Sequence, residues 1–303
     1  MPSVEVWPDH RIYEAQETST LLAGAVQNGI SFTHACGGNA RCSTCRVMIL
    51  EGCSNLTPPT DAEKLISEKL QFNSNIRLAC QTRSRGDVKL RRLVLDEEDY
   101  LLTKQSEGSM ELAPVGKEEK IAILFADIRG FTTFSEPLPS YDVIHVLDRY
   151  FHLMGRVIHR NQGYINNYMG DGLMALFEPN IPVSPALAAI QSGIEMLQTL
   201  EKLKVYLNSL YGKNFEIRIG IHYGEAVLGT VGCGPDRRRT AIGDAVNLAS
   251  RIESMNKVAG TKFLVSEAVY KETEQSVRFG QTFTFPIIGK TGEFKLFEVV
   301  GLT

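Results

Sequence analysis

Charge imbalance, long apolar segments and a leader sequence are all missing from this chain of 303 residues. Acidic and basic side chains nearly cancel at a formal net charge of −3, so neither nucleic acid nor a charged membrane surface is expected as a partner. The longest apolar runs, such as residues 121–126, are far too short to span a bilayer. The first residues have neither the basic nor the apolar region of a secretory signal. We therefore expect a cytoplasmic location, where cysteines stay reduced.

Cysteine is scarce as well, with six residues, yet four of them follow a pattern. Cys36, Cys42 and Cys45 have the spacing C-x5-C-x2-C, and Cys80 follows after a long gap. In a cytoplasmic chain this pattern favours a metal site over a disulfide framework. Thiolates prefer iron–sulfur clusters or zinc, and Cys80 has no nearby cysteine with which to form the second C-x2-C unit of a zinc ribbon. An iron–sulfur cluster is the main expectation, with zinc or four unligated core cysteines as alternatives.

The cysteine spacing resembles that of ferredoxins that bind a [2Fe–2S] cluster. The plant-type pattern is C-x4-C-x2-C with a distant fourth cysteine, and the one extra residue here is similar to the adrenodoxin type. The resemblance covers residues 2–94 and implies a β-grasp domain that holds the cluster on the four cysteines. Acidic and basic residues are nearly balanced in this part of the chain, so it lacks the acidic excess that steers diffusing electron carriers to their partners.

Composition divides the chain into three parts. Residues 1–94 form the first unit, and residues 95–118 are polar, acidic and interrupted by Gly and Pro, which indicates a linker. Residues 119–303 alternate between helical and strand patterns. Within them, residues 140–162 carry a complete apolar stripe that predicts a long helix, and residues 164–177 predict a hairpin. The expected fold class is α+β.

Two carboxylates lie at strand ends in the larger unit. Asp127 follows an apolar strand, and Asp171 occupies the predicted hairpin turn. Either residue alone is explained as a turn or cap residue. Together they could hold a pair of divalent ions, an arrangement that activates an attacking oxygen and stabilises a leaving one.

A third motif places Asn247 and Arg251 four residues apart, on one face of a predicted helix. With this motif, residues 119–303 resemble the catalytic domain of class III nucleotidyl cyclases. That resemblance implies a ferredoxin-like βαβ sandwich with a central antiparallel sheet. Four segments carry it in the family's order: FADIRGFT (125–132), MGDGLMALF (169–177), IRIGIHYGEAVLGTVG (217–232) and TAIGDAVNLASRIE (240–253).

The resemblance also implies roles for individual residues. Two Mg2+ or Mn2+ ions would bind Asp127, Asp171 and the carbonyl of Ile128, and backbone N–H groups of Gly130, Phe131 and Thr132 would hold phosphate oxygens. Asn247 would position the ribose, and Arg251 would stabilise charge on the α-phosphate. In the family the metal aspartates and the Asn–Arg pair of one site come from different subunits. One complete set in a single chain therefore implies a homodimer with two composite active sites.

Two positions, Asn167 and Ile288, depart from the family's pattern. Asn167 stands where adenylyl cyclases usually have a base-reading Lys, and Thr240 occupies the second base-reading position. An Asn side chain both donates and accepts, so ATP is favoured while GTP and a pyrimidine triphosphate stay open. A phosphate-binding Lys of the family is replaced by Ile288, and Lys290 is a candidate substitute.

The leading interpretation is an adenylyl cyclase whose activity is regulated by the redox state of the cluster, with an electron donor of unknown identity. One alternative is a guanylyl cyclase of the same architecture. Another is an electron-transfer protein that carries a degenerate cyclase-like dimerisation module. A third keeps the cyclase active and makes the cluster purely structural.

Overall fold

A computed structural model describes residues 2–93, 116–232, 234–286 and 292–303. The chain divides into two compact units, Met1–Lys117 and Glu118–Thr303. Among the described residues, no helix is both long and apolar enough to cross a membrane.

The first unit contains a five-stranded sheet in the order β2-β1-β5-β3-β4. β1 and β5 pair in parallel, whereas the other neighbours pair antiparallel. This mixed sheet with packed helices confirms the predicted β-grasp domain. The elements are β1 (Ser3–Trp7), β2 (Arg11–Glu14), α1 (Leu21–Gln27), β3 (Arg46–Glu51), α2 (Asp61–Leu70), β4 (Ile76–Leu78) and β5 (Val88–Arg92).

Apolar alternation explains how this sheet covers its core. In β1, Val4 and Val6 are fully buried, while the alternate residues Ser3, Glu5 and Trp7 are half-buried. Thr20 precedes α1 and caps it, because its hydroxyl accepts from the backbone N–H of Ala23. Cys45 and Cys80 belong to the same core cluster, so two of the four motif cysteines are inside the domain.

A buried ion pair joins α2 to β4. Arg77 donates from Nε and Nη2 to the two carboxylate oxygens of Glu63, at 2.9 and 3.0 Å. Glu63 also accepts from the backbone N–H of Leu78 at 2.8 Å, so its charge is well satisfied inside the domain. When one partner of such a buried ion pair is removed, the remaining charge strongly destabilises the folded domain.

We predict that Glu63→Ala destabilises the first unit by about 3–5 kcal/mol, because it leaves the Arg77 guanidinium buried without a counter-charge. Chemical denaturation followed by circular dichroism measures this change. The matched control is Asp61→Ala, which breaks the exposed pair between Asp61 and Lys64. Because exposed pairs contribute little, the control should leave the unfolding midpoint nearly unchanged. Equal effects of the two substitutions would contradict the prediction.

The second unit is built on an eight-stranded sheet with the path β12-β13-β11-β9-β6-β8-β7, and β10 pairs with β9 off this path. The strands are β6 (Gly116–Arg129), β7 (Tyr164–Met169), β8 (Gly172–Phe177), β9 (Glu216–Val231), β10 (Arg238–Ile242), β11 (Phe263–Ser266), β12 (Val277–Pro286) and β13 (Glu293–Leu302). The helices are α3 (Phe131–Ser135), α4 (Ser140–Arg160), α5 (Pro185–Tyr211), α6 (Asp244–Ala259) and α7 (Glu267–Thr273).

The long amphipathic helix predicted from residue 140 is α4. Its buried residues follow the apolar stripe, and Tyr150 and Met154 are completely inaccessible. The chain then reaches Gly163, where a side chain would collide with the ring of Phe177 at 2.4 Å. The close approach of the Phe177 ring on β8 therefore requires glycine after this helix.

Two boundaries differ from the sequence-based expectation. β6 begins at Gly116, inside the range predicted as a linker. β9 is one strand, Glu216–Val231, whereas the sequence pattern predicts two strands, near residues 216–223 and 225–230. It passes so close to α6 that a Cβ on Gly220 would lie 2.1 Å from the backbone nitrogen of Glu253. Small residues in the middle of β9 thus permit close packing rather than ending the strand.

Candidate functional sites

The β6–β8 pairing brings the two predicted metal aspartates together. Ala126 pairs with Leu173, so Asp127 stands beside Gly172 at the start of β8. A Cβ on Gly172 would lie 3.1 Å from Oδ1 of Asp127, which shows that this carboxylate rests directly against the turn that carries Asp171. Two acidic side chains distant in sequence therefore meet at one end of the central hairpin.

Electrostatics at this pair favours a cation. Burial raises the pKa of Asp127, and the charge of Asp171 raises it further. Burial likewise raises the pKa of Asp171. The nearby Arg218 guanidinium opposes both shifts, yet the net direction stays upward. The raised pKa values show that the ionised forms of these two carboxylates are disfavoured where they lie. Positive charge from divalent ions would stabilise those ionised forms.

Buried polar atoms without hydrogen-bond partners surround the aspartates. Among the described residues they include the hydroxyl of Tyr150, Nε of Arg218 and Oε1 of Glu253. The charges of the two aspartates act on Tyr150 and on Glu253, and burial raises the pKa of Glu253 to about 7. Unsatisfied buried groups are costly, so their concentration here indicates a site shaped for a charged ligand.

Sequence reasoning did not select Arg218 or Glu253. Both lie inside the segments that carry the cyclase resemblance, and a signal was present for each. Arg218 is a charged residue between the buried Ile217 and Ile219 of a core strand. Glu253 follows the fully buried Ile252 on a helix and is itself only 9% exposed. Charged residues embedded in an apolar pattern are seldom buried without a partner or a function.

The predicted phosphate loop follows Asp127 directly. Gly130 adopts a left-handed backbone with φ of 73°, and α3 begins at the next residue. The N–H of Phe134 bonds to the carbonyl of Gly130 at 3.0 Å. Because the first N–H groups of a helix have no carbonyl partner within it, those at Phe131 and Thr132 are directed out of the helix start. Ile128, whose carbonyl is a predicted metal ligand, is buried.

The predicted catalytic pair lies on α6. Asn247 is exposed and Arg251 is partly exposed, whereas Leu248 and Ile252 are buried on the opposite side. The helix therefore holds its apolar face in the domain and presents Asn247 and Arg251 together, as the sequence pattern suggests.

The two predicted base-reading residues lie on different strands and have different surroundings. Thr240 lies on β10, and its hydroxyl donates to Oδ1 of Asn166 at 3.0 Å. Asn167, the predicted reader, is exposed on β7. The structure thus pairs Thr240 with the neighbouring asparagine, a residue that sequence reasoning did not select. Ile288 and Lys290 lie outside the described residues.

The four motif cysteines form two pairs in the first unit. Side-chain hydrogen bonds join Cys36 to Cys42 and Cys45 to Cys80. The Cys45 contact lowers the pKa of Cys80 to about 6, while the same contact and burial raise that of Cys45. Two thiol pairs suit a cluster with two irons and four thiolate ligands.

The loop around these cysteines directs hydrogen-bond donors at the sulfurs. Backbone N–H groups of Arg41 and Asn39 bond to Cys36 and, against the opposing effect of burial, hold its pKa below the usual value. The backbone N–H of Ala40 bonds to Cys80. Ala40 itself has a positive φ of 51°. Donors aimed at sulfur are the usual environment of an anionic cluster, so the residues fit a [2Fe–2S] group.

Neither site resembles a closed cage for a single metal ion. The described residues contain no group of three or more His, Cys, Asp or Glu side chains arranged around one ion. A [2Fe–2S] cluster distributes its four thiolates over two irons. Mg2+ commonly binds one or two carboxylates and completes its shell with water and substrate phosphates. The carboxylates of Asp127 and Asp171 are a donor set of this kind.

Comparison with known families matches both units. Residues 114–299 match the family described as adenylate and guanylate cyclase catalytic domain, and residues 4–85 match the 2Fe-2S iron-sulfur cluster binding domain. An adenylate cyclase of Anabaena cylindrica is 35% identical over 58% of this chain, and adenylate cyclase 1 of Rhizobium meliloti is 34% identical over 61%. The chain spans only 34% and 28% of the lengths of these relatives.

Solved structures give the same result for the larger unit. The guanylyl cyclase Cya2 is 32% identical, with a TM-score of 0.58 over 62% of this chain and 95% of that one. The adenylyl cyclase CyaB from P. aeruginosa is 28% identical, with a TM-score of 0.57 over 61% of this chain and 95% of that one. With its four motifs in place, this chain belongs to the adenylate and guanylate cyclase family and carries an N-terminal 2Fe-2S ferredoxin domain.

Proposed function

We propose that this chain is an adenylyl cyclase that converts ATP to cyclic AMP and pyrophosphate. The observation that carries the proposal is the meeting of Asp127 and Asp171 at the hairpin turn, beside buried polar atoms of Arg218 and Glu253 that have no partner. This concentration of unsatisfied charge suits a polyphosphate with divalent ions and has no evident role in folding.

The reaction joins the ribose 3′-oxygen to the α-phosphorus and expels pyrophosphate in line, so it needs mainly positioning and charge stabilisation. Asp127, Asp171 and the Ile128 carbonyl would hold two Mg2+ or Mn2+ ions, which supply Lewis-acid polarisation of the phosphate when bound. Backbone N–H groups at Gly130, Phe131 and Thr132 hold phosphate oxygens. This half of the site binds and orients the triphosphate.

The other half comes from α6 of a second copy of the chain. Asn247 positions the ribose, and the planar donors of Arg251 stabilise the charge that develops on the α-phosphate. Both residues are accessible on the helix face that is not packed into the domain. The active protein is therefore proposed to be a homodimer with two composite sites.

ATP is the proposed substrate because two adenylate cyclases are about one third identical to this chain. GTP is the second candidate, because the solved structure with 32% identity is named a guanylyl cyclase and Asn167 is not the Lys of adenylyl cyclases. Lys290, in place of the family's phosphate-binding Lys, is proposed to bind the terminal phosphates.

The test is to incubate the purified full-length protein with ATP, GTP or CTP, and Mg2+ or Mn2+, and to identify cyclic products by mass spectrometry. We expect cyclic AMP and an equal amount of pyrophosphate, dependent on the metal ion. Asp171→Asn is the matched negative control, since it keeps the shape of the side chain and removes its charge. Absence of every cyclic product, or equal production by the control, would overturn the proposal.

We further propose that the ferredoxin domain regulates this activity. A domain whose acidic and basic residues are nearly balanced has no strong field with which to find an electron-transfer partner, whereas fusion to a cyclase keeps the cluster beside one enzyme. Reduction by a donor of unknown identity adds one electron to the cluster and changes the charge of the domain. Turnover is then expected to depend on the redox state.

A further inference from the structure

An irregularity in β7 places Asn166 differently from its neighbours. The pairing between β7 and β8 shifts register between Ile165 and Asn167, so Asn166 is an extra residue with no partner on β8. A bulge of this kind re-aims a side chain that the regular alternation would send elsewhere. Asn166 consequently reaches β10, where it makes two hydrogen bonds.

These two hydrogen bonds fix the orientation of the Asn166 amide. Its Nδ2 donates to the backbone carbonyl of Arg239 at 2.9 Å. A carbonyl only accepts, so the other end of the amide, Oδ1, must face Thr240. Oδ1 then accepts from the hydroxyl of Thr240 at 3.0 Å. The hydrogen bond to the backbone of β10 therefore orients the Asn166 amide, and the amide in turn orients the hydroxyl hydrogen of Thr240.

The side chain of Arg239 also ties β10 to the β7–β8 hairpin. It forms an ion pair with Glu178 at 2.9 Å and lies over the ring of Tyr164 at 5.9 Å. Tyr164 in turn donates from its hydroxyl to Glu178 at 2.5 Å. The carbonyl that orients Asn166 therefore belongs to a residue whose side chain is held by two partners, Glu178 and Tyr164.

The arrangement determines what Thr240 offers to a ligand. Its only hydroxyl hydrogen is used by Asn166, so its oxygen remains as an acceptor alone. The 6-amino group of adenine is a donor and matches this oxygen, whereas the 6-oxo group of guanine is an acceptor and does not. The 4-amino group of cytosine has the same donor chemistry on a smaller ring.

We propose that Asn166 is a specificity-determining positioning residue: it holds the Thr240 hydroxyl as an acceptor and thereby selects an amino-bearing base, adenine, over guanine. The inference rests on the proposed function, since it assumes that Thr240 faces the base. It assigns discrimination to Asn166, which acts through Thr240 without touching the nucleotide.

The test compares kcat/KM for ATP and for GTP in full-length variants. Asn166→Ala frees the Thr240 hydroxyl to donate to guanine, so the ATP to GTP ratio is expected to fall by about tenfold, the effect of one well-directed hydrogen bond. Asn166→Asp keeps an acceptor against Thr240 and should retain most of the ratio. Asn214→Ala, at an exposed asparagine whose amide donates to Asn208 on α5, is the control that should leave it unchanged.

A double-mutant cycle shows whether Asn166 acts through Thr240. In a Thr240→Val background, which has no hydroxyl to orient, Asn166→Ala should cause no further change in the ratio. A purely structural role would lower turnover of both nucleotides together and leave the ratio intact. An unchanged ratio in Asn166→Ala, or full additivity with Thr240→Val, would overturn the inference.

Failure of the proposed function gives a different result. If the wild-type chain forms no cyclic product, the proposed function fails, and the inference is tested by dissociation constants of ATP and GTP in the presence of Mg2+. The same tenfold fall in preference is then expected in Asn166→Ala. Equal preference in the wild-type chain and the variant would reject it.

Discussion

Chains with Asp127→Ala and chains with Arg251→Ala, each inactive alone, are expected to regain activity when they are mixed. Asp127 lies with Asp171 at the hairpin turn, and Arg251 lies on an exposed face of α6. If one site takes its aspartates from one subunit and its arginine from the other, a heterodimer has one site with both defects and one intact site. Each single variant should lose at least about 10³-fold in kcat, since it removes a main source of charge stabilisation.

The size of the recovery follows from symmetry. With equal amounts of the two chains and free exchange, about half of the dimers are mixed and half of their sites are intact, so activity returns to about a quarter of the wild-type value. The matched control mixes Asp127→Ala with Asp171→Ala chains. These defects fall on the same side of the site, so every site stays incomplete. No recovery in verified heterodimers, or recovery in the control, would count against shared sites.

Local patterns were enough to predict the parts of the fold that bring the two predicted metal-binding aspartates together. The hairpin of residues 164–177 was visible as two apolar runs around a short turn, and it is β7 and β8 in the structure. The apolar stripe after residue 140 became α4 with the expected buried side. Because both signals arise from periodic burial on a single element, they required no knowledge of distant contacts.

Other features depend on contacts that a linear pattern does not contain. The bulge at Asn166 shifts the side chain toward β10, so counting residues from Asp171 selects Asn167, while the structure puts Asn166 against Thr240. The role of Asn167 as a base reader and that of Asn166 as a positioning residue are both predictions. The burial of Glu253 depends on the close passage of β9 at Gly220, which only the three-dimensional packing reveals.

The four motif cysteines also combine a feature that the sequence pattern predicts with one that depends on distant contacts. Spacing alone grouped the four cysteines, because three of them lie within ten residues. Their pairing, Cys36 with Cys42 and Cys45 with Cys80, follows from the loop and from the fold that brings residue 80 to residue 45. Cys53 lies outside both pairs and is exposed.

Cys45→Ser is expected to abolish the visible absorbance of the [2Fe–2S] cluster, while Cys53→Ser leaves it intact. Cys45 is 1% exposed and bonds to Cys80, so its loss would remove one of the four thiolates that would hold the cluster. Cys53 is exposed and belongs to neither pair, which makes it the matched control. Absorbance and iron content of the purified full-length variants measure the outcome. Retention of a full cluster in Cys45→Ser would reject the ligand assignment.

The same two variants test whether the cluster regulates the cyclase. Redox coupling of ordinary size would change turnover by about fivefold or more between oxidised and dithionite-reduced protein. The redox effect on turnover should persist in Cys53→Ser. It should vanish in Cys45→Ser, because that variant has no cluster to accept an electron. Because the second unit has its own core, Cys45→Ser should still turn over nucleotide at one fixed rate. Equal turnover of oxidised, reduced and cluster-free protein would instead make the cluster a structural element of the first unit.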